Sequence, residues 1–235
     1  MPRFARDDFR THSSEGVGAD WPISYDDLRP HYEKVEWEFG VAGECGPFAP
    51  EPYALPMPPH PMNWHAQLLA RGARQLGAHP FAPPVAINSV ERDGRPACIY
   101  CGWCGSGCAI EAKATAANTY LAKAEQLGAR VISEAFVRRV NYDRRKGRVT
   151  GVDYLDAMRR EHRVNAALVI LSGHAIEDPR LLFLSANATF PDGLANTSGM
   201  VGRNFMSHPT WQVFGTFNEA VNGFQGMQMG HDPHA

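Results

Sequence analysis

From Tyr25 to Phe39 apolar side chains return at helical intervals: Leu28, Tyr32, Val35 and Phe39 would share one face. Ser24 stands where an N-cap belongs, Asp26 and Asp27 suit the positive start of a helix, and Gly40 follows as a stop. Pro30 sits near the first turn, where a missing N–H costs least. The same periodicity predicts helices over Met62 to Leu76, ended by Gly77, and over Ala112 to Leu127, ended by Gly128. Residues 46–62 contain seven prolines, which exclude regular helix or an inner strand and predict an extended surface strap. Residues 1–24 are polar and turn-rich and read as an arm.

Beyond Gly128 the texture changes to short β-rich runs, ARVISEAFVRRVNYD, KGRVTGVDYLDA and EHRVNAALVILSG, separated by turn residues. Ala167 to Leu171 is continuously apolar, which predicts a strand covered on both faces. Asp178-Pro179 predicts a short helix through Ser185, with Asp as cap and Pro in the first position. Trp211 to Phe217 reads as one more strand.

At 235 residues, 44% hydrophobic and 20% charged, the chain is expected to be one large soluble domain or two small ones. The formal charge of −2 gives no field that would draw it to nucleic acid or anionic lipid. No run of about 20 apolar residues encodes a membrane span. The start, MPRFARDDFRTHSSEG, has no apolar stretch and does not read as a secretory signal. At face value this implies the cytoplasm, where structural disulfides are uncommon.

Candidate chemistry concentrates in RPACIYCGWCGSGCAIEAK, residues 95–113. Cys98, Cys101, Cys104 and Cys108 are spaced C-x2-C-x2-C-x3-C, the bacterial ferredoxin run with Ala109 where its proline would stand. Thiolates so placed on a tight loop can converge on neighbouring irons, and Gly102, Gly105 and Gly107 permit the backbone angles. There is no second run, so the supply suits a three-cysteine cluster. Zinc would want two separated ligand pairs, and no matching downstream pair exists. A disulfide in an exported protein and a metal-free, tightly packed turn are the remaining readings. Cys45 is remote and reads as a lone structural thiol.

Several segments together resemble the glucose–methanol–choline (GMC) family of flavin oxidoreductases, in its bacterial sugar and polyol dehydrogenase branch. They are, in order, DWPISYDDLRPHYEKVEWEFGVAG, the cysteine loop running on to AFVRRV, AALVILSGHAIEDPRLLFLSAN and GMVGRNFMSHP. The resemblance covers nearly the whole chain. It implies an α/β fold: part of an FAD-binding sheet and part of an antiparallel substrate sheet, after an N-terminal helical and loop region. The implied divisions are 1–127 for the cap region with its cysteine loop, 128–190 for the flavin-domain segment and 191–235 for the start of the substrate domain. The resemblance also implies FAD as cofactor and a sugar or polyol as substrate. Val137 would lie beside the flavin adenine through its backbone, and Ser172-Gly173 would run close to the dinucleotide. Some relatives hold a three-iron cluster in the pattern C-x5-C-x3-C, which Cys98, Cys104 and Cys108 match, with Cys101 as the alternative ligand. A small or cytochrome subunit is an implied partner, and the periplasm or its membrane an implied location.

The chain also departs from that family. It contains no G-x-G-x-x-G flavin fingerprint, since GVGADW and GSGCAI both fail at the last glycine. The family's catalytic histidine lies in a C-terminal segment with no match here, so no catalytic residue is assigned. Asp178 stands where relatives usually carry Ser or Thr, and Ser207 where Asp is common. His208 matches a structural landmark rather than the catalytic position, and His231, Asp232 and His234 form a tail cluster. The expectation is therefore the central part of a flavin dehydrogenase, inactive in isolation. An iron–sulfur electron-transfer module, and a non-catalytic remnant or half of a split enzyme, are the rival readings.

Overall fold

The computed structural model describes residues 3–47, 49–207, 214–218, 220–223 and 226. It is an α/β structure in two compact units, residues 1–129 with 215–235 and residues 130–214. The expected strand over Trp211 to Phe217 falls partly outside the described residues, and Phe214 to Phe217 carry no strand. His208, His231, Asp232 and His234 lie outside them too. Among the described residues no helix is long and apolar enough to cross a membrane.

In the first unit a 3-10 turn, Asp7–Phe9, and a short helix α1, Thr11–Glu15, occupy what the sequence presents as an arm. Helix α2, Tyr25–Phe39, forms where the pattern puts it. The Ser24 side chain accepts the Asp27 N–H while the Asp27 side chain accepts from the Ser24 N–H, and Gly40 ends the helix in the left-handed region. Its buried face differs from the expected stripe. Tyr25 and Glu36 turn inward, whereas Val35 is 48% exposed. The reason is Arg3, whose Nε and Nη2 bond the two Glu36 oxygens at 2.9 and 2.7 Å, so this carboxylate enters the interior already paired.

Helix α3, Trp64–Gln75, is capped by the Asn63 side chain on the Ala66 N–H at 2.9 Å. It buries Ala66, Ala70 and Ala73, small residues at helical spacing that allow close approach. The proline-rich segment does lack regular structure, but it is no mere surface strap: Met57 and His60 are buried. Met57 bridges Ala42, which also bridges Val85. Tyr53 lies under the Arg3 guanidinium at 3.9 Å, and burial pushes its hydroxyl up to about 12.

The helix expected from Ala112 starts five residues later. Lys113 is held in an antiparallel bridge to Ile87, and the Ala114 N–H donates to Ala86 O at 2.8 Å. Backbone groups already committed to extended neighbours cannot enter a helix. A π-helical turn, Ala117–Leu121, follows, and then α4, Ala122–Gln126. Thr115 and Asn118 cap the start reciprocally, with bonds of 2.7 and 3.3 Å.

The second unit is built on strands β1 (Phe136–Asp143), β2 (Arg148–Leu155) and β3 (Glu161–Asn165), antiparallel in the order β1-β2-β3. Helix α5, His174–Leu184, packs on β1. Ser185 ties them: fully buried, it accepts the Val140 N–H at 2.8 Å and donates to Leu181 O at 2.6 Å. Ser185→Ala will strand the Val140 N–H in the interior and should cost about 1–3 kcal/mol. Urea unfolding will measure it, and a loss within error of zero would mean the Val140 N–H finds another partner.

Two expectations for this unit are corrected. Residues 167–171 form no strand: Leu168 and Ile170 are 74% and 77% exposed, while Val169 and Leu171 are half-buried. An extended run becomes a strand only beside a partner's backbone, and no described strand pairs with it. Helix α5 begins at His174 rather than at Asp178-Pro179, so Pro179 lies inside it. Asp178 still serves as a cap, but for an N–H five residues upstream.

Candidate functional site

The cysteine loop is organised by residues that carry no motif. Asn88, fully buried, donates through Nδ2 to Arg95 O at 2.8 Å, and its backbone O accepts the Cys98 N–H at 2.8 Å. Its own N–H donates to Ala112 O at 2.9 Å, so one residue clasps both ends of the loop. Lys113 Nζ reaches across to Cys104 O at 2.8 Å, and Arg95 Nη2 donates to Phe39 O at 2.7 Å. Tyr100 and Glu111 take positive φ of 56° and 59°, alongside Gly102 and Gly107, which makes the loop tight.

All four loop cysteines are free thiols. Cys98 and Cys104 are half-buried against Val85 and Ile87, Cys108 is half-buried and Cys101 is exposed. Burial raises the Cys98 thiol above its ordinary range, the Tyr100 N–H opposes this, and the neighbouring Cys104, Cys101 and Cys108 add to the rise. Among the described residues no three His, Cys, Asp or Glu side chains are grouped to hold a metal. As folded here, the loop thiols are not gathered into a three-ligand site.

His60 anchors the loop to the proline-rich segment. Its Nε2 lies 2.9 Å from Ile87 O, which can only accept, so Nε2 carries the proton and Nδ1 accepts from the Tyr100 hydroxyl at 3.2 Å. Burial holds His60 below the ordinary 6.5. The unfolded chain therefore binds the extra proton first, and stability must fall as pH drops through 6.5 towards the folded value. Comparing urea midpoints at about pH 7.5 and about pH 5.5 will show this loss in the native chain and a smaller one in His60→Gln. An equal loss in both would remove His60 from the account.

Val137 lies in β1 beside an irregularity. It opposes Tyr154, and Arg139 opposes Asp153, so Arg138 is an extra residue and the ladder is locally interrupted. Such a bulge leaves the extra residue, Arg138, out of the ladder register, whereas Val137 itself is paired with Tyr154. Ser172 and Gly173 are exposed, in the turn before α5. Helix α5, which follows this turn, packs on β1, the strand that carries Val137.

The chain's own side chains engage this turn. The Gly173 N–H donates to Asp178 Oδ1 at 2.7 Å, and the Ile176 N–H donates to His174 Nδ1 at 3.3 Å. Two donors at the helix start are thus taken by the chain's own side chains. A Cβ at Gly173 would sit 2.8 Å from the same Asp178 oxygen, so the space over the turn holds a carboxylate. His174 has φ of 87°, a conformation that side-chain-bearing residues rarely adopt. Asn88, His60 and Lys113 carried no local sequence signal, because each acts through contacts distant in the chain. Asp178 did carry one, its departure from the family pattern.

The GMC oxidoreductase family model matches residues 14–210. The chain is 38% identical over 211 residues to the fructose dehydrogenase large subunit of Gluconobacter japonicus, covering 88% of this chain and 38% of that protein. It is 34% identical over 212 residues to 2-methyl-1,2-propanediol dehydrogenase of Mycolicibacterium austroafricanum, covering 88% and 38%. With the gluconate 2-dehydrogenase flavoprotein of Pantoea cypripedii it shares 32% identity over 209 residues, covering 79% and 34%. The chain thus spans little more than a third of the length of these relatives. With a family match running through both units, the chain belongs to the GMC oxidoreductase family.

Proposed function

We propose that this chain is the central part of an FAD-dependent oxidoreductase that acts on CH–OH groups of sugars or polyols. The family match over residues 14–210 carries this reading, and the names of the similar proteins, a fructose and a gluconate dehydrogenase among them, support its substrate class. FAD, when bound, supplies the hydride acceptor, while protein residues supply position and electrostatics. In this reading the share of this chain is scaffold: the β1–β2–β3 sheet carries Val137, and the Asn88 clasp holds the cysteine loop.

The chain alone is expected to give no turnover. Purified protein with FAD, a panel of aldoses, ketoses and polyols, and a dye acceptor will leave the dye oxidised. Sustained dye reduction would refute the need for further segments.

A second reading concerns the cysteine loop, and the four free thiols at the spacing C-x2-C-x2-C-x3-C favour it. Cys98, Cys104 and Cys108 would hold a three-iron cluster once the loop closes around it, with Cys101 as substitute ligand. Anaerobic reconstitution followed by iron and sulfide analysis and EPR tests this. A colourless product with four titratable thiols would end the idea.

A further inference from the structure

We propose that the outer face of α3 holds a site for a small monocarboxylate with an apolar body, its carboxylate taken by Arg71 and Arg74. Helix α3 turns Ala66, Ala70 and Ala73 inward. Trp64, Leu68, Arg71 and Arg74 then fall on a neighbouring stripe at helical spacing. That stripe borders a cavity of about 380 Å³, a volume suited to a small molecule. Met62 and Val221 extend its apolar lining, Val221 from the segment of the first unit that follows residue 214. Trp64 is 59% exposed there, and among the described residues no other ring stacks on it.

Charge selects the ligand. Residues 52–90 contain Arg71 and Arg74 but no acidic residue, so nothing nearby in the chain balances the two positive charges. Among the described residues neither guanidinium has a hydrogen-bond or ion-pair partner. Three residues apart on a helix, the two can reach one carboxylate together. Arg74 lies in the last turn, where the helix dipole suits a cation, but the dipole gives no reason for an apolar cavity beside it. Gln67, the other polar side chain at the cavity, already donates through Nε2 to Met62 O at 2.9 Å. The strong donors left for a ligand are the two guanidinium groups, which bind an anion better than a neutral amide. The apolar lining rewards a body that leaves water on binding, which a bare acetate lacks.

Titration calorimetry on the full chain tests the site, with phenylacetate, its neutral counterpart phenylacetamide and acetate as separate probes. Phenylacetate is expected to bind saturably, roughly tenfold or more tightly than either of the others, and more weakly as salt rises. The double variant Arg71→Gln with Arg74→Gln should lose roughly tenfold or more in phenylacetate affinity. Its circular dichroism and urea midpoint should stay native, because both side chains are exposed and hold no described neighbour. Trp64→Ala should weaken phenylacetate as well, by removing the aromatic wall. Phenylacetamide binding as tightly as phenylacetate would overturn the site by taking charge out of the recognition, and acetate doing so would take out the apolar body. Unchanged phenylacetate affinity in either variant, or no saturable binding to the native chain, would overturn it too.

Discussion

Replacing Arg3 with alanine will destabilise the first unit by roughly 3–5 kcal/mol, the usual cost of removing one partner from a buried ion pair. The Arg3 side chain is 2% exposed and that of Glu36 11%. The guanidinium bonds both Glu36 oxygens, approaches the Tyr25 hydroxyl at 3.1 Å and lies over the Tyr53 ring. Removing it leaves a carboxylate unpaired inside the protein, beside a tyrosine that burial and the Glu36 charge already hold neutral. Urea unfolding followed by tryptophan fluorescence will read the loss. The double variant Arg3→Met with Glu36→Leu should recover most of it, because the stranded charge disappears along with the pair. A double variant as unstable as Arg3→Ala would show that packing around Arg3, not charge, holds this corner together.

Gly151→Ala is the second large effect. Gly151 sits in the middle of β2, opposite Asn141 on β1 and Asn165 on β3, with φ of 149°. A Cβ there would collide with the carbonyl oxygen of Val164 and lie 3.0 Å from the Asn165 Cα. Both are main-chain atoms of the paired strand, so neither can rotate away. Backbone strain and overpacking each cost about 1–3 kcal/mol, so their sum should reach roughly 3 kcal/mol or more. The β2–β3 pairing should open first, seen as lost hydrogen-exchange protection in the strand carrying Arg163. Gly147→Ala is the comparison: φ is 64°, but nothing lies within 4 Å, so only the strain remains. Equal losses at 147 and 151 would mean that the collision contributes nothing.

Helix α2 shows what local chemistry determines. Ser24, Asp27 and Gly40 act on neighbours within one turn, and so its limits could be read directly. The strands of the β1–β2–β3 sheet were legible for a similar reason, since alternation and turn residues are short-range signals. Prolines excluded regular structure over 46–62 correctly, yet could not reveal that Met57 and His60 are buried there, because their partners come from residues 41–42 and from Ile87 and Tyr100. The apolar run 167–171 failed as a strand for want of a paired neighbour, a condition no single segment can state about itself.

The same division runs through the candidate site. Cysteine spacing was readable, and so was the family, because both are ordered patterns of residue types. Whether four thiols converge depends on the backbone path between them, which is set by Asn88, Lys113 and the positive-φ turns at Tyr100 and Glu111. Asp178 was visible as a departure, but that its carboxylate occupies the Gly173 N–H needed the helix to begin at His174. Sequence by itself determined the limits of α2, the segments that form the three strands and the family membership, since caps, periods and motifs act over a few residues or survive as patterns. The tertiary structure alone decided which polar groups are buried in pairs and which donors are already spent, because those facts depend on contacts between residues far apart in the chain.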